Sequence, residues 1–324
     1  MTARTQGERW KRGACAACAV LCLAMAGNAQ QLAQYTQYVF NHFSVNPAVA
    51  GSKDCLDIRL GYRKQWSGFP GAPTTAWASV HGAIRAKGKP YVANRHGIGV
   101  WAEADDAGPY GYTLFYLAYA YHIQMAQDYY MSLGTFLGVK QMKFDASEVT
   151  LADFDDPAVT GSQSTMVLPE ITPGIWLYSK QGWGGLTLSQ VLNNKVGKFG
   201  LGETTLTRHF QLSAGRKFKV GKKTGLTPST LLKLSPRSPL ALDLNLMLDF
   251  QKKFGIGVSY RNVDAFAAMF RVSFLKFFQL GYSYDITTSK IRVASNNTHE
   301  IILAITPCPP NDPRRSIVRC PVWE

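Results

Sequence analysis

The chain has 324 residues and a formal net charge of +14, with 46% hydrophobic and 12% aromatic residues. A basic balance raises nucleic acid as a partner, but Lys and Arg scatter through strand-like stretches and turns without a recognition helix or basic arm, so no nucleic-acid role is expected. A helical membrane protein is excluded as well, because no stretch approaches the roughly 20 uninterrupted apolar residues a spanning helix needs.

Residues 1–29 read as a secretory signal peptide. Arg4, Arg9, Lys11 and Arg12 form a basic start, Ala14 to Ala26 an apolar stretch, and Gly27-Asn28-Ala29 places small residues at −3 and −1. Cleavage is expected between Ala29 and Gln30. The leader carries four basic residues and one acidic, so the remainder has 31 Lys+Arg against 20 Asp+Glu, or +11. Cys15, Cys18 and Cys22 leave with it. Cys55, Cys308 and Cys320 stay, on an export route where disulfides persist. Cys308 and Cys320 are close together in a Pro-rich stretch and are expected to pair, leaving Cys55 odd.

Residues 30–54 are read as a periplasmic N-terminal lead-in. Within it, Asn46-Pro47 calls for an extended or turn backbone, and Gly51 permits positive φ just before the first strand. From 55 to 306 the chain alternates. Candidate strands are 55–66, 74–86, 95–105, 110–123, 127–143, 168–179, 182–193, 208–219, 225–235, 239–250, 253–262, 265–276, 278–287 and 297–306. In the clearest, Leu240, Leu242, Leu244, Leu246, Leu248 and Phe250 share one face, and Asp243, Asn245 and Asp249 the other. Tyr112 to His122 is apolar on both faces and alternates poorly.

An exported chain of this pattern is expected to be all-β: a transmembrane antiparallel β-barrel of about 14 strands in an outer membrane, an even number as in bacterial single-chain barrels. Closure is required because backbone N–H and C=O groups cannot stay unpaired in hydrocarbon. Connections after odd strands (67–73, 106–109, 144–167, 194–207, 288–296) are mostly longer than those after even strands, matching outer loops and periplasmic turns. Trp66, Trp77, Trp101, Trp176 and Trp183, with Tyr110, Tyr112, Tyr129 and Tyr130, lie near strand ends and are expected at headgroup depth. Residues 307–324 form a Cys- and Pro-containing periplasmic tail. Inward Asp243, Asp249, Arg261, Arg271 and Asp285 are expected to form lumen ion pairs.

The segment after the leader resembles the start of the PorP/SprF family, outer-membrane proteins of the type IX secretion and gliding systems of the Bacteroidetes. Gln37, Tyr38, Phe40, Asn41, Asn46, Pro47, Ala48, Ala50 and Gly51 match its opening pattern. Arg63-Lys-Gln-Trp66, Gly71-Ala-Pro-Thr74, Ser229 to Leu234, Ser238-Pro-Leu240, Asp243-Leu-Asn245, Gly257-Val-Ser-Tyr-Arg261, Gly281-Tyr-Ser-Tyr-Asp285 and His299-Glu-Ile301 follow in order, covering roughly residues 34–304. The resemblance implies a non-enzymatic role, in which the barrel binds, tethers or helps display a large secreted, adhesin-like surface protein and contacts periplasmic machinery. A second reading is a passive or substrate-selective outer-membrane channel. The tail departs from members that stop at an aromatic closing the last strand.

Gln37, Tyr38, Phe40, Asn41, Asn46, Pro47 and Gly51 are candidates either for partner contact or for sealing the barrel mouth. No hydrolase elbow, zinc motif or phosphate loop is present, so no catalytic residue, cofactor or metal is expected. Asp153, Asp155 and Asp156 sit in the longest loop. Their spacing fits no Ca²⁺ cage, and they are read as a solvated acidic loop that could contact a partner.

Overall fold

A computed structural model describes residues 32–53, 55–84, 94–148, 163–196, 205–236, 238–251, 253–275 and 277–307. The strands are β1 (Asp57–Lys64), β2 (Thr74–Ile84), β3 (Arg95–Ala107), β4 (Tyr110–Ala126), β5 (Tyr129–Asp145), β6 (Gln163–Ser179), β7 (Gly182–Ser189), β8 (His209–Arg216), β9 (Phe218–Lys219), β10 (Thr224–Ser235), β11 (Ser238–Phe250), β12 (Phe254–Arg261), β13 (Ala265–Phe274), β14 (Phe278–Thr287) and β15 (Thr298–Ile305). The two-residue β9 follows β8 against the same partner, β10, so β8 and β9 make one stave. Fourteen staves result. Each is antiparallel to both neighbours, and β15 pairs with β1 to close the cylinder.

Alternation decides which face meets lipid. On β11, Leu244 and Leu246 are 46% and 42% exposed, while Asp243 and Asn245 are 1% and 5% exposed. The apolar set is outside and the polar set inside, the reverse of a soluble protein and the arrangement a bilayer demands. Leu60, Phe115, Leu117, Leu137, Ile175, Leu212, Ile256, Val258 and Phe270 continue the outer band. Turns 127–128 and 180–181 lie on one rim, which the short-turn rule makes the inner one, and connections 65–73 and 288–297 lie on the opposite, outer rim.

β5 and β6 are longer than the sequence pattern suggested, 17 residues each. The connection expected at 144–167 therefore contracts to 146–162. The extra length is held by an apolar cluster on the inner wall, in which Met166 and Leu168 pack with Val196 and Leu206, and with Met142 and Phe144. Asp153, Asp155 and Asp156 lie outside the described residues, as do Cys308 and Cys320. Cys55 is disulfide-bonded, which corrects the expectation of an odd thiol there.

The largest departure concerns residues 30–54. From Tyr35 to Ser52 this segment is almost wholly buried, and its contacts reach strands on every side of the cylinder. It is a plug within the lumen, not a periplasmic lead-in. The plug runs from the outer end to the inner end: Thr36 meets Arg63, Arg261 and Asp285 at the outer ends of their strands, and Ser52 meets Arg95 at the inner start of β3.

Candidate functional site in the barrel lumen

The plug winds as three short 3-10 turns, Thr36–Phe40, His42–Ser44 and Pro47–Val49. Such short turns leave many backbone groups without partners inside the segment, so the wall must supply them. Asn46 shows how. Its side-chain oxygen accepts from the Ala48 N–H at 2.9 Å and caps the third turn, while its amide donates to the carbonyls of Ile175 (2.9 Å) and Leu186 (3.3 Å) on β6 and β7. Pro47 at the first position of that turn has no N–H to leave unpaired. Gly51 has φ of +71°, and a Cβ there would come within 2.6 Å of the Gly97 Cα on β3.

At the outer end the plug is tied by charge. Glu300 accepts from the backbone N–H groups of Thr36 (2.9 Å) and Gln37 (3.2 Å), and from Arg63 (2.8 Å). Arg63 also binds Asp285 (2.9 Å), and Arg261 binds Asp243 (2.7 Å). The Thr36 hydroxyl donates to Asp285 (2.5 Å) and accepts from Arg63 and Arg261. Lys233 stands 3.7 Å from Asp243. Three cations (Arg63, Arg261, Lys233) thus face three buried carboxylates (Asp243, Asp285, Glu300), with the more exposed Asp264 3.2 Å from Arg261 at the cluster's edge, close to the balance that buried charges require. Nearer the inner rim, Asp57 pairs with Arg59 and Lys53, and Asp249 with Arg271 and Lys217.

Between these polar girdles lies an aromatic core. Trp77 and Trp101 stack at 5.0 Å, with Tyr35 edge-on to both. His42 lies 5.3 Å from Trp176 and 4.8 Å from Trp183, ring centre to ring centre. These four tryptophans, with Tyr112 and Tyr130, were expected at headgroup depth; they point inward and pack in or against the lumen core. The reason is parity, because they share strand faces with Ser79, His81, Glu103 and Glu170. Tyr129 does face outward, whereas Tyr110 shares the inward parity of Tyr112 and Leu114 and packs on Phe144 at the outer end of β4. The inner side of β4 is apolar because Leu114, Ala118 and Ala120 join this core, which explains why that strand alternates poorly.

All seven candidates from the opening motif are brought together in the lumen: Gln37, Tyr38, Phe40, Asn41 and Asn46 are buried, Pro47 starts the third turn and Gly51 meets β3. Tyr38 accepts a hydrogen bond from Asn245 (2.8 Å), and Phe40 lies beneath the Arg271 guanidinium. Sequence reading missed Thr36, Tyr35, His42, Glu103, Lys140 and Glu170. For Glu103, Lys140 and Glu170 the available signal was a charged side chain on the inward parity of β3, β5 and β6; Tyr35, Thr36 and His42 lie in the plug, where no period marks them.

Burial between the two indoles, reinforced by Arg59 and Lys53, pulls the His42 imidazole down from 6.5 to about 3. It is neutral in the docked plug at neutral pH. A group with a depressed folded pKa and a basic titrating form favours the released state as pH falls. Plug docking should be at full strength above pH 6.5 and weaken by about 1.4 kcal/mol per pH unit below it, levelling off near pH 3. Hydrogen exchange of residues 36–49 at pH 7 and pH 5 checks this. His42→Phe should flatten the His42 component of the difference.

Fold and site together define an outer-membrane β-barrel whose lumen is stoppered by its own N-terminal segment. The chain belongs to the PorP/SprF family, type IX secretion system membrane proteins, whose model matches residues 27–305. No curated protein sequence matches it. Among solved structures, the toluene transporter TbuX of Ralstonia pickettii is 10% identical, with 84% of this chain and 93% of that chain covered and a TM-score of 0.49. The CymD monoaromatic hydrocarbon channel is 11% identical (88% and 95% covered, TM-score 0.46), and a Pseudomonas aeruginosa FadL homologue 9% identical (86% and 95%, TM-score 0.43). Likeness this distant says nothing about what this chain carries.

Proposed function

We propose that this protein is a non-enzymatic outer-membrane component of a type IX secretion or gliding apparatus, exported by a leader cleaved near Ala29/Gln30. In this role it binds and helps tether or display a large secreted surface protein, with its periplasmic face against other parts of the machinery. The observation that carries the reading is the stoppered lumen. A transport barrel needs a path for solute, whereas here the cylinder is filled by a segment bonded to strands all round it. That leaves a rigid cylinder whose two rims are the working surfaces. Family membership supports the same reading.

Crosslinking in native outer membranes, followed by isolation of the barrel, tests it. Recovery of one large secreted protein together with periplasmic components is the expected result. Recovery of the barrel alone, together with large steady solute flux in liposomes, would replace this reading with the channel. Deleting residues 146–162, the connection between β5 and β6, and separately truncating after Thr306, should each leave the barrel inserted while display of the surface protein fails in at least one.

A further inference from the structure

On the outer side of the plug lies a cavity of about 80 Å³ whose lining includes Trp101, Glu103, Lys140, Glu170 and Gln190. Its polar groups do not balance. Glu103 is fully engaged: one oxygen accepts from Tyr35 and from the Trp101 indole (3.0 Å), the other from Tyr112 (2.6 Å). Glu170 is 2% exposed, yet its Oε1 has no hydrogen-bond partner among the described residues. The Oε1 of buried Gln190, on the same lining, is likewise without one. Among the described residues Lys140 is the ammonium that acts on Glu103, Glu170 and Asp105 together, and it stands over the Tyr112 ring at 3.9 Å. The other lysine of the lining, Lys233, pairs with Asp243. Three carboxylates therefore share one cation, and two buried acceptors wait for a donor.

A buried carboxylate that shares its one cation and has an oxygen without a donor is costly, so this vestibule is built for something that brings positive charge and N–H groups. Among the described residues no three His, Cys, Asp or Glu side chains converge as metal ligands. Two acceptors on an aromatic-walled cavity suit a planar donor fork instead. We propose that the outer vestibule binds an organic cation, a guanidinium or primary ammonium, with Glu170 and Gln190 as its acceptors and Tyr116 and Phe136 as its wall. The cavity has room for such a headgroup and not for a folded domain, so a side chain reaching in from a polypeptide and a free small amine share this chemistry.

The test uses the whole protein in detergent and titration calorimetry with two probes, Nα-acetyl-arginine amide and free butylguanidinium, against Nα-acetyl-leucine amide. Saturable binding of the guanidinium probes and none of the leucine probe is expected. Tighter binding of the arginine amide would identify a polypeptide as the source, and equal or tighter binding of butylguanidinium a free cation. Glu170→Gln should weaken binding at least tenfold, and Lys140→Met, which removes the competing ammonium, should strengthen it severalfold. Heat-modifiable gel mobility shows that each variant remains a folded barrel. No saturable binding by the natural chain, or equal binding by a folded Glu170→Gln variant, overturns the proposal. Because no secreted partner is present, the outcome is independent of whether the barrel displays one.

Discussion

Replacing Gly97 and Gly134 together by leucine should unseat the plug and turn a nearly silent barrel into a conducting one. A Cβ at Gly97 would fall 1.9 Å from the Ala50 carbonyl oxygen, and one at Gly134 would fall 2.6 Å from the Ala48 Cα. Both obstacles are plug backbone, which cannot rotate aside as a side chain would, so the segment must move as a whole. The barrel itself has less reason to fail. Its stability in the bilayer rests on a closed ladder of hydrogen bonds and an apolar outer band, and neither substitution touches those. Single-channel recordings in planar bilayers should show small or absent steps for the natural chain and large, steady steps for the double variant. A folded double variant that stays silent would mean that the lumen is blocked by something other than residues 35–52.

The sequence carried the barrel because a strand's two-residue period is local. Asp243, Asn245 and Asp249 alternate with leucines, and nothing distant is needed to see it. The inward set Asp243, Asp249, Arg261, Arg271 and Asp285 was legible too; it pairs as Asp243–Arg261 across one hairpin and as Asp249–Arg271 over the intervening β12, where glycine stands between them. The plug was not, since nothing in Gln37 to Gly51 is periodic and several of its hydrogen bonds go to residues more than 100 positions away, such as Glu300, Ile175 and Asn245. The tryptophans were misplaced for a related reason. Position along a strand suggested a headgroup girdle, but facing is set by parity, and Trp77 shares its face with Thr75, Ser79 and His81, all buried. The same parity places Glu103, Lys140 and Glu170 on the inward faces of β3, β5 and β6, a cluster the sequence alone can mark.

The second large effect should come from the Arg63–Glu300 pair. Arg63→Met removes the guanidinium that binds Glu300, Asp285 and the Thr36 hydroxyl. Two buried carboxylates then lose a direct cation, Asp285 keeping only Arg261 at 3.8 Å, and breaking one side of such a buried pair costs about 3–5 kcal/mol. The damage should fall on the plug, because Glu300 also accepts from the Thr36 and Gln37 backbone N–H groups, whereas the wall keeps its full β1–β15 ladder. In native-state hydrogen exchange, amides of residues 36–49 should lose protection by that amount while those of β1 and β15 keep theirs. Glu300→Met alone should do comparable harm, since it strands both N–H groups as well as Arg63. The double variant should be milder than the sum of the two, because methionine facing methionine leaves no opposed charge, and the departure from additivity measures the coupling. Equal loss in plug and strands would show that the pair holds the cylinder shut and that the plug merely rests on it. Additive losses would mean that Arg63 serves Asp285 rather than Glu300, and the tether at Thr36 would then have to be carried by Arg261.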